Sequence, residues 1–246
     1  MISINRKKRN IIRVLLGLVC FLIVAFLVTT IYYINEVRNA RRDTQTLYTS
    51  ALERYGTQLS LSDLSPERKT MLIAIVDPRF YHHHGVDLEP PGARMTTLTQ
   101  GLVKLLYFPD GFRPGIRKLR QTLIAKYALD AIVSKDDQLL LFLNICYLGH
   151  ENGQAVNGFA NAARVYFGKE FSSITDDEFL SLVAMLNGPN ALKPGMTANT
   201  ERVQKIKTSL SGKQRSEGNY NCQQKRTFSE RACIAILRLI INAISD

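Results

Sequence analysis

Apolar and polar positions divide the chain into one long uncharged stretch and a series of helix-length patterns. From Val14 to Tyr33 twenty consecutive residues carry no charge. A helix of that length rises roughly 30 Å, the thickness of a bilayer's hydrocarbon core. The stretch is too long for the apolar part of a signal peptide, and no small-residue cleavage site follows it. It reads as an uncleaved transmembrane helix over 14–34. Tyr32 and Tyr33 stand where aromatic residues meet a membrane interface.

Beyond the anchor the pattern is helical, so the chain is expected to be mainly α. Ser65-Pro66-Glu67 opens a helix: Ser is the N-cap, Pro occupies the first turn, and an acid sits at the positive end of the dipole. The apolar run Met71 to Val76 follows, and Pro78 stops it. Residues 85–115 are rich in Gly and Pro and read as a long irregular, partly mobile segment around a short helix near 96–107. Ile116, Leu119, Leu123, Tyr127 and Ala131 recur at helical spacing and predict a helix over 116–132. Ser134-x-x-Asp137 starts another, whose Leu139–Leu143 run is apolar on every face. Thr175-x-x-Glu178 is a capping box ahead of Phe179–Leu186. No strand-like alternation of useful length stands out. Residues 211–228 read as a polar linker, and 230–244 as a last apolar helix that packs on the body or lies on the membrane. The expected organisation is a basic arm over 1–13, the anchor over 14–34, a folded body over 45–210, and the linker and tail helix over 211–246.

Charge gives the anchor a direction. Arg6, Lys7, Lys8, Arg9 and Arg13 precede it with no acid among them, whereas Arg38, Arg41 and Arg42 beyond it are mixed with Glu36 and Asp43. The positive-inside rule puts the N-terminus in the cytoplasm and the body across the membrane. The whole chain carries a formal charge of +11, which points to acidic partners: nucleic acid, anionic lipid or a phosphorylated substrate. A body facing away from the cytoplasm disfavours nucleic acid. Hydrophobic residues at 46% and charged residues at 22% exclude wholesale disorder. Of the four cysteines, Cys20 lies in the anchor and Cys146 in an apolar run, where it reads as core. Cys222 and Cys233 would be free to pair in an oxidising compartment, but spacing does not decide it. No Cys-x-x-Cys pair suggests zinc. His82-His83-His84 does not suggest a metal either, because neighbouring helical side chains diverge by about 100°.

Arg117, Lys118 and Arg120 crowd the first turns of a helix, the wrong end for cations against the dipole. A bound anion would remove the penalty; the plain alternative is a solvated basic face.

Six segments in order resemble the family-51 peptidoglycan glycosyltransferases, the glycan-strand polymerases found alone or as the first module of bifunctional penicillin-binding proteins. The family's EDxxFxxHxG is matched by Val76-Asp77-Pro78-Arg79-Phe80-Tyr81-His82-His83-His84-Gly85, with Val76 in place of Glu. GGSTITQQLxKN is matched by Met95 to Leu105, where Thr97, Thr99, Gln100, Leu102 and Lys104 agree. RKxxE is matched by Arg117-Lys118-Leu119-Arg120-Gln121, with Gln121 in place of Glu. SKxxILExYLN is matched by Ser134 to Asn144, with Leu140 in place of Glu. Ala162 to Lys169 matches AAxxYFGK without a break, and Met185 to Pro194 resembles LLAGLPxxPxxxNP.

The resemblance implies a lysozyme-like helical domain with a smaller, mobile, membrane-apposed lobe. It implies a single-pass protein of a bacterial inner membrane with a periplasmic body, acting in cell-wall biogenesis. The implied substrate is lipid II or another polyprenyl-pyrophosphate glycan, and the implied partners are cell-wall synthesis proteins. Carried over position by position, the substrate-binding residues are Phe80, His83, Thr97, Gln100, Lys104, Arg117, Lys118 and Asn144. In the family the first Glu is the general base and the third-motif Glu handles pyrophosphate, sometimes with a divalent metal. Here those positions are Val76 and Gln121, so no catalytic position is intact, the metal-ligand position is lost and no cofactor is expected. Asp77 is the candidate stand-in for the base, but it lies about 100° round a helix from Val76 and should point elsewhere. Its expected role is therefore structural, a hydrogen bond or an N-cap to the following turn. Glu89, in the irregular segment, is the other acid that could swing in. The leading expectation is a catalytically impaired homologue that acts by binding. The competing one is an active glycosyltransferase with non-standard catalytic groups. A third is a plain scaffold, in which Lys104, Arg117 and Lys118 would scatter.

Overall fold

The computed structural model describes residues 6–88, 96–113 and 115–211, with side chains from residue 9 onward. Glu89, Cys222, Cys233, the 211–228 linker after its first residue and the 230–244 helix lie outside the described residues.

Helix α1 (Arg6–Tyr55) runs without a break. Its first half is exposed on all sides, with Val14 at 72%, Phe21 at 68% and Val28 at 61%. Among the described residues it is the one helix long and apolar enough to cross a membrane. From Tyr33 onward one face turns inward. Tyr33, Val37, Ala40, Thr44, Leu47 and Ala51 recur three or four apart and are buried or half-buried. Tyr33 is therefore a packing residue, while its neighbour Tyr32 stays exposed. The small side chains of Ala40 and Thr44 let the body approach closely, and Thr44 Oγ1 meets the Tyr107 hydroxyl at 2.7 Å.

Helix α2 (Pro66–Val76) starts at Ser65, whose side chain accepts from Arg68 N, as the sequence predicts. Helix α3 (Leu98–Tyr107) fills the short helical stretch expected within the Gly/Pro-rich segment. Across 116–132 the chain is helical throughout, but not uniformly α. Helix α4 (Ile116–Ile124) passes through a π turn, Ala125–Leu129, into the short α5 (Asp130–Ile132). Two contacts accompany the π turn. Gly85, at φ +73°, lies so close to the Ala125 carbonyl that a Cβ there would stand 2.3 Å from its oxygen. Arg41 Nη1 of α1 donates to the Tyr127 carbonyl at 2.6 Å, supplying a partner of the kind a π turn requires when it shifts the helical ladder. The apolar stripe of this helix is split accordingly. Leu119 and Leu123 pack on Tyr33 and Val37, whereas Ile116 is 76% exposed and Ala131 is exposed as well. Glu36 pairs with Arg120 and Arg41 reaches Tyr127, so α1 and α4 run side by side in the same direction.

Helix α6 (Lys135–Ile145) carries Ser134 as its side-chain cap and is buried nearly all round, as its apolar run predicts. Helices α7 (Phe159–Phe167) and α8 (Asp176–Met185) complete the core, where Phe142, Phe159, Phe171 and Phe179 meet ring to ring. Thr175 and Glu178 form the expected capping box. Cys146 is buried in this core, and burial pushes its thiol far above the ordinary range.

Two elements depart from the sequence reading. Strands β1 (Tyr147–Glu151) and β2 (Gln154–Asn157) form an antiparallel hairpin with Glu151 opposite Gln154 and a bulge between Tyr147 and His150. Their turn is Asn152-Gly153, both at positive φ, the Asn-Gly signature of a two-residue hairpin. Helix α9 (Thr197–Leu210) is polar overall and held by few anchors. Val203 and Ile206 pack against Leu180 and Ala184, and Asn199 bonds both Ser181 and the Leu192 carbonyl.

Candidate functional site

Three polar junctions join the segments that carry the motif residues. The first lies where α2 ends. Val76 is its last residue and is half-buried against the core, with only methyl groups to offer. Asp77 follows as the C-cap and turns inward to 4% exposure. Its carboxylate meets His83 Nε2 at 2.9 and 3.0 Å and accepts from Leu98 N at 2.9 Å. It therefore ties the end of α2 both to its own loop and to the start of α3. The sequence suggests a hydrogen bond or an N-cap for Asp77; the structure gives it hydrogen bonds and makes it the C-cap of α2. His83 is buried with it, while His82 and His84 are exposed. Phe80 is fully buried and lies edge-on to Tyr81 and His83.

The second junction continues from Leu98 as a polar ladder between α3 and α4. Thr97 caps α3: its hydroxyl accepts from Gln100 N, and Gln100 Oε1 accepts from Thr97 N in return. The Thr97 hydroxyl also donates to the Gly85 carbonyl at 2.7 Å. Gln100 Nε2 donates to Thr122 Oγ1 at 3.1 Å, and its own carbonyl accepts from Gln121 Nε2 at 2.5 Å. Gln121 is wholly buried, and its Oε1 has no partner among the described residues. Next to Gln100, Thr99 Oγ1 donates to Gln138 Oε1 at 2.7 Å, fastening α3 to α6.

The third junction is Asn144. Its Oδ1 accepts from Gln58 N and Leu59 N, both at 2.9 Å, and its Nδ2 donates to the carbonyls of Leu59 and Leu140 at 2.8 and 2.9 Å. It braces the segment after α1 against α6. Its contacts are thus all with the fold.

The cations behave differently. Lys104, one turn beyond Gln100 on α3, is half-buried, and burial draws its ammonium below the ordinary lysine range. Its Nζ stands 5.1 Å from the centre of the Phe112 ring. Arg117 is exposed and donates to the Gly111 carbonyl at 3.0 Å. Lys104 and Arg117 thus reach the same short loop from two helices. Lys118 is half-buried on the first turn of α4. That turn begins at Gly115, with no side-chain cap and no acid. Arg120, the remaining cation, turns away: it pairs with Glu36 of α1 and stacks on Phe108 at 5.3 Å.

The residues named from the sequence therefore divide. Phe80, His83, Thr97, Gln100 and Asn144 are buried and bonded or packed within the fold, while Lys104, Arg117 and Lys118 lie on or near the rim. Gly111, Phe112 and Thr122 take part without having been singled out, because their partners lie on other elements and leave no local signal. Among the described residues no group of three or more His, Cys, Asp or Glu is placed to hold a metal.

A family profile described as Transglycosylase matches residues 91–214. Among curated proteins, the chain is 33% identical to penicillin-binding protein 1B of Vibrio cholerae over 53% of this chain and 18% of that protein. It is 30% identical to penicillin-binding protein 1A of Neisseria flavescens over 70% of this chain and 23% of that one. It is 27% identical to penicillin-binding protein 1F of Bacillus subtilis over 79% of this chain and 30% of that one. The matched region thus spans less than a third of the length of these relatives.

Proposed function

We propose that this chain, which belongs to the transglycosylase family and is a peptidoglycan glycosyltransferase domain of the family-51 type, serves cell-wall biogenesis by binding and not by polymerising. The ligand is lipid II or another polyprenyl-pyrophosphate glycan, held near the membrane by the anchor helix. The basic residues ahead of that helix orient the body to the periplasmic side of a bacterial inner membrane.

Glycan transfer needs a base. A sugar hydroxyl is a poor nucleophile until its proton is taken, a step worth about 10²–10⁴ in rate. Val76 has no atom that accepts a proton. Asp77, the next acid, is buried with its carboxylate engaged by His83 and Leu98 N. Gln121 carries no charge and spends its amide on a main-chain carbonyl. The observation that carries the reading is this pairing of lost acids with an inward-turned Asp77.

Binding rests on other groups. Lys104 and Arg117 reach toward one loop, and Lys118 sits on the first turn of α4, whose amides have no side-chain cap. Cations at a helix start that carries no side-chain cap suit a diphosphate.

The test is made on the full chain in detergent or nanodiscs with labelled lipid II. The expected result is saturable binding without chain growth, weakened by Lys104→Ala and Arg117→Ala. Robust glycan strands from the wild type would restore the active-enzyme reading, and absence of binding would reduce the body to a scaffold.

A further inference from the structure

The position where the family keeps its third-motif acid is not an empty socket in this chain. Gln121 is 0% exposed. Its Nε2 donates at 2.5 Å to the Gln100 carbonyl, the oxygen that in the helical ladder faces the amide of Lys104. The neighbouring Thr122 completes the grip: its hydroxyl accepts from Gln100 Nε2 and donates to the Lys118 carbonyl at 2.8 Å. Gln100 on α3 is thus clasped by two consecutive residues of α4. One leg of that clasp ends on the main chain of Lys118, in the first turn of α4.

We infer that Gln121 is a positioning residue: its buried amide locks α4 onto α3 and so sets where the cations of α4 stand relative to Lys104. The lock requires a donor. A carboxylate has only acceptors, so an ionised Glu at 121 would face a carbonyl oxygen in a site closed to solvent. Only the protonated acid could take over the bond. Restoring the family residue should therefore damage the fold at neutral pH and not revive the chemistry. The lock rests on the α3–α4 contacts alone, whereas the positioning role rests on the proposed binding function.

The sign of the pH dependence follows. A Glu buried opposite an acceptor has its folded pKa raised above the unfolded value. Its folded state then holds the extra proton, so stability is fullest at low pH and is lost as pH rises through the raised value. Thermal melts of the full chain in nanodiscs would compare wild type, Gln121→Glu and Gln121→Met. Gln121→Glu should melt about 5 °C or more below wild type at about pH 8, with the gap closing toward about pH 5. Gln121→Met, which has no titrating group, should show a gap that does not change with pH. A Gln121→Glu variant as stable as wild type at alkaline pH, or one whose gap ignores pH, would overturn the lock.

The positioning claim is read separately, with inorganic pyrophosphate as the probe and at temperatures where the variants stay folded. Gln121→Met should bind it roughly tenfold more weakly than wild type. Unchanged affinity would overturn the positioning role and leave a stabilising bond only. Glycan strands made by Gln121→Glu at neutral pH would also overturn the lock, since the side chain would then have to face outward. If the wild type itself binds no pyrophosphate, the binding function and the positioning role both fail, while the melts still decide the lock.

Discussion

Asp77 and Gln121 stand at two ends of the same polar ladder and teach opposite lessons about acids. Both are buried, and the motif resemblance sets both against a carboxylate. Asp77 faces donors, namely His83 Nε2 and Leu98 N. Gln121 faces an acceptor, the Gln100 carbonyl. The acid persists where the surrounding groups give hydrogens, and an amide stands where they take them. Asn144 extends the contrast. It faces two donors with Oδ1 and two acceptors with Nδ2, so only an amide serves all four. In these three residues the side-chain type agrees with the sense of the hydrogen bonds it makes.

The contrast can be broken deliberately. The largest effect should come from Asn144→Asp, which turns a carboxylate toward the carbonyls of Leu59 and Leu140. A loss of about 4 kcal/mol is expected from two stranded acceptors and a buried charge, measured by urea unfolding. Asp77→Asn keeps the shape but puts an NH₂ group in place of one of the two carboxylate oxygens that meet His83 Nε2 and Leu98 N. About 2–3 kcal/mol should be lost, since bonds to a charged group are the stronger kind. Equal stability for Asp77→Asn would mean that the sense of the bonds does not matter there. Gln121→Met should cost only about 1 kcal/mol. It removes one bond but also removes Oε1, a buried atom with no partner among the described residues.

The smallest effect separates the rim from the ladder. Burial already holds the Lys104 ammonium below its ordinary range, and an anion binds its charged form. Pyrophosphate affinity should be full at neutral pH and fall as pH rises through that lowered value. Lys104→Ala should flatten the profile with little change in stability. A flat profile in the wild type would remove Lys104 from the binding surface.

Much of the fold could be read from the chain because its causes are local. The caps at Ser65, Ser134 and Thr175 bond residues three places away, and the anchor needs only an uninterrupted apolar run. The Asn152-Gly153 turn was equally local, but its strands are too short and mixed to show alternation. The π turn at Ala125–Leu129 was not legible, since it accompanies Gly85 and Arg41, contacts 40 and more residues away in sequence. The site was legible as a set of residue types and not as a set of roles. Phe80, His83, Thr97, Gln100 and Asn144 were recognisable by position, yet the bonds that hold His83, Thr97, Gln100 and Asn144 run largely to the main chain or to other buried side chains.

Apolar length, charge asymmetry and capping chemistry were properties of the chain itself, and with them came the anchor, the helical class and the absence of an acid at Val76 and Gln121. Which way each buried polar group points was decided only when α2, α3, α4 and α6 packed. A hydrogen bond has a direction, and that direction depends on a partner that folding brings in from far along the chain. Packing made Asp77 a clamp, Gln121 a lock and Arg120 a partner of the anchor helix, and it left Lys104 and Arg117 on the rim.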